Sequence, residues 1–482
     1  MLVVLVPLIL LASGALITLV AEPYLSVERK HRFLPWIASA ATGIAGIALA
    51  WLFLGQQSPT SLYDFVSFDA TRAWLGLGVL ITTLLALAGL QSTAQRDADA
   101  GGESYALLLL AACGALVLCM AQTTLAGFIG LELLSLAIYA AIGTKRGAAG
   151  SAEALYKYFI QGAVFSAIFL YGAALHYGAT GGFAFAGTVI EGREAIAAVA
   201  TVFMCLGLLF KVGVVPFHFW SPDAYAGSPI AVTAFMAGVV KIGGFALLAS
   251  VLLGSVAATP GLVNFNDLQL SAEPTSTTGT LVRVLTFLAL LSLLFGNVGA
   301  FTQTRLRRLM AYSSIAHAGY LLLGLVPVLA GTISLGAFAF YLVAYAVATT
   351  GATALLGHAT GLGDQDDLSL LNGVARQRPL FGIAACLLLA SLAGLPPTAG
   401  FIGKFWILSG LVEQGHVATA AFAMLMAVIG AVYYFTLCLG LWKPTTAFVR
   451  PLPKLLGVTS TVALAVIFLI AWLPFAFEHF IN

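Results

Sequence analysis

Long stretches without a polar residue, punctuated by short polar breaks, set the rhythm of this chain. A helix of about 20 apolar residues spans a bilayer, and fourteen runs of that kind are found, at 1–21, 33–54, 70–91, 104–121, 122–142, 153–177, 195–222, 229–254, 281–302, 309–327, 331–357, 380–411, 418–440 and 457–476. A transmembrane β-barrel is excluded, because its strands are about 10 residues of alternating polarity and these runs are continuous. Short connections predict antiparallel neighbours in one helical bundle. The expected fold class is an all-α polytopic membrane protein of about fourteen transmembrane helices, a single membrane domain over 1–482.

Two runs are abnormal. The stretch 380–411 holds 32 residues, about 48 Å of straight helix against a hydrocarbon core of about 30 Å. Its break is written in Gly394-Leu395-Pro396-Pro397, because proline removes a donor and clashes with the preceding turn. The run 195–222 has the same trait, with Pro216 and then Pro222. Each broken run carries a lysine, Lys211 or Lys404. Paired interrupted spans in two halves of a chain point to an inverted-repeat transporter with an ionic site near the midplane. The repeat is weak at the residue level, since Lys211 precedes its proline and Lys404 follows its own.

Composition narrows this picture. Charged residues make up 8% of the chain and apolar ones 61%, whereas soluble domains carry roughly 25% charge; a soluble enzyme is excluded. Of 21 basic residues, those in alternate connections are Arg29, Lys30, Arg32, Arg96, Lys145, Arg146, Arg305, Arg307, Arg308, Arg376, Arg378, Lys443, Arg450 and Lys454, against Arg72, Arg193 and Arg283 in the others. The positive-inside rule makes the first set cytoplasmic and puts both termini outside. Leu19-Val20-Ala21 mimics a signal-peptide cleavage site, but no basic residue precedes the run. The four basic residues left over, Lys157, Lys211, Lys241 and Lys404, lie inside runs, and among the acids Glu132 is the only one clearly within a run.

A lysine at a helix centre costs roughly 2.5–3.5 kcal/mol on insertion scales, so these groups need a reason. Glu132 can be a static bridge pinning two helices, or it can tune the proton affinity of a nearby lysine, with Lys211 the expected partner. One glutamate cannot neutralise three central lysines, which suggests a hydrated proton path through Lys211, Lys241 and Lys404. Lys157 sits one turn after Glu153, and an i,i+4 pair reaching the interface explains it as well as a relay does. His218, beyond Pro216, and His317, in Ser313-Ser314-Ile315-Ala316-His317, are possible relay groups; a structural hydrogen bond explains either equally. Tyr433 and Tyr434 are expected to line packing or an interface. The five cysteines, Cys113, Cys119, Cys205, Cys386 and Cys438, show no paired spacing and fit small buried residues. No dinucleotide, Walker A or H-E-x-x-H motif is found, so no metal or cofactor is expected in this chain.

Several segments resemble the antiporter-like subunits of proton-pumping NADH:quinone oxidoreductase, respiratory complex I: GLLFKVGVVPFHFWSPDAYAGSP from Gly207, VTAFMAGVVKIGGF around Lys241, RRLMAYSSIAHAGY from Arg307 and LAGLPPTAGFIGKF ending beside Lys404. GLELLSLAIYA around Glu132 and ALYKYFIQGA around Lys157 are most similar to the subunit-N branch. The resemblance implies two inverted five-helix repeats, spans 4 to 8 and 9 to 13, with discontinuous seventh and twelfth spans. These correspond to 104–254 and 281–440, preceded by a three-helix segment over 1–103 and followed by a helix in 457–482. It implies Glu132 and Lys211 as a charge pair, Lys241 as central relay lysine and Lys404 on the exit side. NADH, FMN, iron–sulfur clusters and quinone would belong to partner subunits of a hetero-oligomer in a bacterial inner membrane. The alternatives are a subunit of a multi-component cation/proton antiporter or membrane-bound hydrogenase, and a structural spacer with static charges.

Overall fold

The computed structural model describes residues 5–55, 60–62, 65–94, 101–145, 149–258, 277–360, 366–444, 457 and 464. The first half contains α1 (Val6–Ala21), α2 (Val27–Gly55), α3 (Ala70–Ala94), α4 (Gly102–Met120), α5 (Thr124–Ile142), α6 (Ala149–Thr180), α7 (Glu194–Lys211), α8 (Ser221–Gly227) and α9 (Ile230–Ala258). There follow α10 (Thr277–Phe301), α11 (Leu306–Leu329), α12 (Leu335–Thr360), the short α13 (Val374–Gln377), α14 (Pro379–Ala393), α15 (Ala399–Glu413) and α16 (Val417–Leu441). Among the described residues twelve helices are long and apolar enough to cross a membrane, and α14 with α15 divides the overlong run into two short helices. The run expected at 457–476 lies outside the described residues, except for Gly457 and Leu464.

Helix is dictated where no water can satisfy the backbone, since every N–H and C=O must then be paired within the segment. The polar side chains embedded in these helices obey the same demand. Thr82 and Thr83 donate to the carbonyls of Gly78 and Val79 one turn back, at 2.6 and 2.7 Å, and Thr353 does so to Thr349 at 2.7 Å.

The sequence boundaries shift at the polar ends. α2 begins at Val27, so Arg29, Lys30 and Arg32 belong to its first turns, and α11 begins at Leu306, which makes Arg307 and Arg308 helical. Both starts are polar faces that an apolar-run criterion cannot see. A two-stranded hairpin, β1 (Thr60–Leu62) and β2 (Val66–Phe68), was also invisible to it; Thr60 pairs with Phe68 and Leu62 with Val66.

Connections of alternate helices gather at opposite ends of the bundle, as antiparallel crossing requires. Bridges join Val66 to Ala121 and Thr123 to Ala184 at one end. At the other, Arg305 bridges Asp367 and Gly373 N–H donates to Gly440 C=O at 3.1 Å. α12 is buried throughout its apolar window and α9 and α11 nearly so, whereas α1, α2, α6 and α16 form the periphery. The central helices are therefore the ones that carry Lys241 (α9) and His317 (α11).

Candidate functional site

Both overlong runs break, and each break leaves helix-end carbonyls that need donors. α7 ends at Lys211, and the chain turns through Gly213 at φ 66° and the cis Val215-Pro216 bond before α8 begins. Trp220 fastens this turn: its Nε1 donates to Phe210 C=O at 2.9 Å, and its ring stacks on Tyr158 at 4.2 Å between centroids. Another freed carbonyl, Val212 C=O, accepts from the ammonium of Lys241. The second break follows α14, where Gly394 takes φ 84° and its N–H returns to Ala390 C=O at 3.0 Å, ending the helix ahead of the cis Pro396-Pro397 bond. There Lys404 Nζ donates to Leu392 C=O at 2.8 Å and Ala393 C=O at 3.2 Å. A cation at a helix C-terminus is favoured by the macrodipole as well as by the hydrogen bonds. The lysine that seals the first break is thus Lys241, from α9, and not Lys211 of the broken span itself.

Lys211 is 3% exposed and turns elsewhere. Its Nζ donates to Ser135 Oγ at 2.8 Å and Tyr158 OH at 3.1 Å, and lies 5.2 and 5.5 Å from the Tyr158 and Tyr139 ring centres. Glu132 does not touch it. Glu132 is half-buried and accepts from Ser166 of α6, and Ser135, one turn along α5, stands between the two charges. Glu132 remains near enough for its charge to act on Lys211. The expected direct contact between Glu132 and Lys211 is not made; Lys211 meets Ser135 and Glu132 meets Ser166 instead.

Lys241, 4% exposed, also donates to Ser314 C=O of α11 at 3.2 Å, so one ammonium touches α7 in the first half and α11 in the second. His317 lies on α11 within reach of the charges of both Lys241 and Lys404. Its Nδ1 is 3.0 Å from Tyr341 OH and its Nε2 3.3 Å from Tyr434 OH, and Tyr345 stacks on its ring at 4.7 Å. Tyr434 OH also meets Ser313 Oγ. A small cavity with room for roughly one water is lined by His317, Lys404, Asn297, Tyr320 and Tyr434; the Tyr320 ring centre is 4.8 Å from Lys404 Nζ. These hydroxyls were missed from sequence, where Tyr434 read as a packing residue. The available signal was a tyrosine and serine pattern inside otherwise apolar runs.

Lys157 is not among this group. Its side chain is 42% exposed, and its ammonium pairs with Glu153 at 2.6 Å and with Asp223 of α8 at 3.0 Å; Asp223 also reaches Arg308 at 3.4 Å. His218 lies in the first break with a buried Nδ1 that has no hydrogen-bond partner among the described residues. A second feature invisible to the apolar pattern is Arg307, 3% exposed. Its Nε donates to Asp366 at 3.1 Å and its Nη1 to Ser228 C=O at 2.7 Å, tying the α8–α9 junction to the segment after α12. No group of His, Cys, Asp and Glu among the described residues could hold a metal ion.

Residues 121–430 match a family described as NADH:quinone oxidoreductase/Mrp antiporter, TM. The chain is 36% identical over 473 residues to NADH-quinone oxidoreductase subunit N of Geobacillus kaustophilus, covering 96% of this chain and 93% of that protein. It superposes on a chain of respiratory complex I from Thermus thermophilus with TM-score 0.78 at 31% identity, covering 98% of each. A chain of the Mrp complex from Dietzia sp. shares the fold, with TM-score 0.77 at 20% identity over 99% of this chain and 95% of that one.

Proposed function

The chain belongs to the NADH:quinone oxidoreductase/Mrp antiporter membrane-subunit family, and we propose that it is the proton-carrying N-type subunit of complex I, moving protons through Glu132, Lys211, Lys241 and Lys404 while NADH, FMN, iron–sulfur clusters and quinone act on partner subunits. The observation that carries this reading is the chemistry around the three buried lysines. Hydroxyl and carbonyl oxygens hold all three, and among the described residues none has a carboxylate within 4.0 Å. A static salt bridge would need that carboxylate, since an unpaired buried charge is costly. Neutral acceptors instead tolerate both the ammonium and the amine, which is what a proton carrier requires.

Lys241 is the link between the halves. A proton on it is held by the α7 break on one side and by α11 on the other, and Ser314, His317 and the tyrosine hydroxyls of α12 and α16 continue toward Lys404. Positive charges brought close in a low-dielectric interior repel strongly, so a proton arriving at Lys241 favours release from Lys404. Glu132, half-buried on α5 and bonded to Ser166 of peripheral α6, supplies the negative charge that a neighbouring subunit could modulate, with Ser135 relaying its effect to Lys211.

The helix arrangement supports two inverted repeats. α4 packs on α5, α6 on α7 and α8, and α9 on α4 and α7; in the same order α10 packs on α11, α12 on α14 and α15, and α16 on α10 and α14. Basic residues concentrated at the Arg305 end favour a cytoplasmic position for it, which puts both termini on the periplasmic side of a bacterial inner membrane and includes the fourteenth span. His218 and Lys157 stand at that cytoplasmic end, next to the first break.

Solubilisation in mild detergent and analysis of the purified assembly tests the identity. Flavin and iron–sulfur signals with NADH:quinone activity are the expected result. A flavin-free assembly that exchanges sodium for protons would overturn it in favour of the antiporter reading.

A further inference from the structure

Cys113, Cys119 and Cys205 are buried, as small apolar residues should be, but Cys386 of α14 and Cys438 of α16 are only half-buried. Although 52 residues apart in sequence, their thiols lie within side-chain hydrogen-bond reach of each other, with the Trp442 indole beside Cys386. The helix register gives the same result independently. α14 and α16 run antiparallel in contact, and a Cβ placed on Gly382 would meet the Trp442 ring at 3.4 Å. One turn onward along α14 from Gly382 and one turn back along α16 from Trp442 sets Cys386 against Cys438. The glycine at 382 leaves no side chain where Ala375 of α13 and the Trp442 ring at the end of α16 come close.

Their position matters for both ends of the second-half site. α14 carries the Leu392 and Ala393 carbonyls that hold Lys404, and α16 carries Tyr434, which bonds His317 and Ser313. We propose that Cys386 and Cys438 are a thiol-modification site, an oxidisable pair whose disulfide ties α14 to α16 and restrains the Lys404–His317 site. The effect on pumping rests on the relay reading above; formation of the bond does not. Exposed Ile383 and Leu439 beside the pair, 46% and 69% accessible, mark an apolar approach, so the matching oxidant is a lipid-soluble hydroperoxide.

The chemistry balances. One thiolate sulfur takes the terminal peroxide oxygen, the O–O bond breaks, the alcohol leaves and a sulfenic acid forms; the second thiol attacks that sulfur, the S–S bond forms and water leaves. The two sulfurs together lose two electrons, which reduce the peroxide, and the thiol protons depart in the alcohol and the water.

The test treats the assembled complex in membrane vesicles with cumene hydroperoxide. Peptide mass spectrometry then scores the Cys386–Cys438 disulfide, and NADH-driven proton pumping is measured before and after dithiothreitol. The disulfide should form, pumping should fall about threefold or more and recover on reduction, and Cys386→Ser and Cys438→Ser complexes should resist the treatment. Absence of the disulfide in oxidised native complex would overturn the site. A disulfide formed without change in pumping would overturn its restraint of the relay. If the Lys404→Met complex pumps normally while the disulfide still forms in native chains, the relay reading fails and the thiol pair stands.

Discussion

Lys211 Nζ donates to Ser135 Oγ at 2.8 Å, and this serine occupies the place where a direct contact with Glu132 was expected. Ser135 has one proton, given to Leu131 C=O at 2.5 Å, so its oxygen is free to accept from the lysine while its own orientation is fixed by α5. A hydrogen bond to a charged group is worth about 1.5–3 kcal/mol. Ser135→Ala should therefore lower pumping by about tenfold with the amount of assembled complex unchanged, and Ser135→Thr should retain most of it. Pumping per assembled complex in membrane vesicles checks both.

Tyr434 and Tyr433 are adjacent and both buried, yet they make different bonds. Tyr434 OH joins Ser313 and His317, whereas Tyr433 OH donates to Asn297 at 3.3 Å. Tyr434→Phe keeps the ring and deletes the link, and it should cut pumping severalfold. Tyr433→Phe should have the smaller effect. Equal losses in the two variants would show that packing, not the hydroxyl, is what matters on α16.

The Arg307–Asp366 pair is a clamp and not a carrier, because a guanidinium stays protonated at any working pH. Removing one partner from a buried pair costs about 3–5 kcal/mol. Arg307→Ala should reduce the amount of folded subunit in membranes, seen by immunoblot and by a lower unfolding temperature. Whatever complex assembles should pump normally, which separates this residue from the lysines.

Gly394 holds φ 84° beside Lys404, and a Cβ there would lie 3.3 Å from Lys404 Nζ. A left-handed conformation costs a side-chain-bearing residue about 1–2 kcal/mol. Gly394→Ala should lower both thermal stability and pumping. Gly394→Asn, which tolerates that conformation better, should lower stability less, and thermal unfolding of the two variants tells them apart.

Much of this was legible in the residues. The apolar runs located the twelve helices of spanning length among the described residues, because lipid allows little else, and Pro216 with Pro396 and Pro397 located the two breaks. Lys211, Lys241 and Lys404 stood out because charges are scarce there. What could not be read was which carbonyl each lysine would meet: Lys241 seals a break 29 residues before it in the chain, a relation set by how α9 packs against α7. The hydroxyl partners were hidden for the same reason, since Tyr434 joins His317 across 117 residues and a tyrosine in an apolar run looks like packing. Charged helix starts, such as Arg307 in α11, look like loop in the sequence because an apolar run ends where polarity begins. The Cys386–Cys438 neighbourhood likewise needs the antiparallel register of two helices that no spacing rule encodes.

The central claim is that Lys241 passes protons between the two halves, and the most direct test is NADH-driven proton uptake into inverted vesicles carrying Lys241→Met complexes at matched subunit content. The account predicts that pumping collapses while assembly is retained, because methionine fills the space but offers no proton site between Val212 and Ser314. Pumping at the native level in that variant would contradict it.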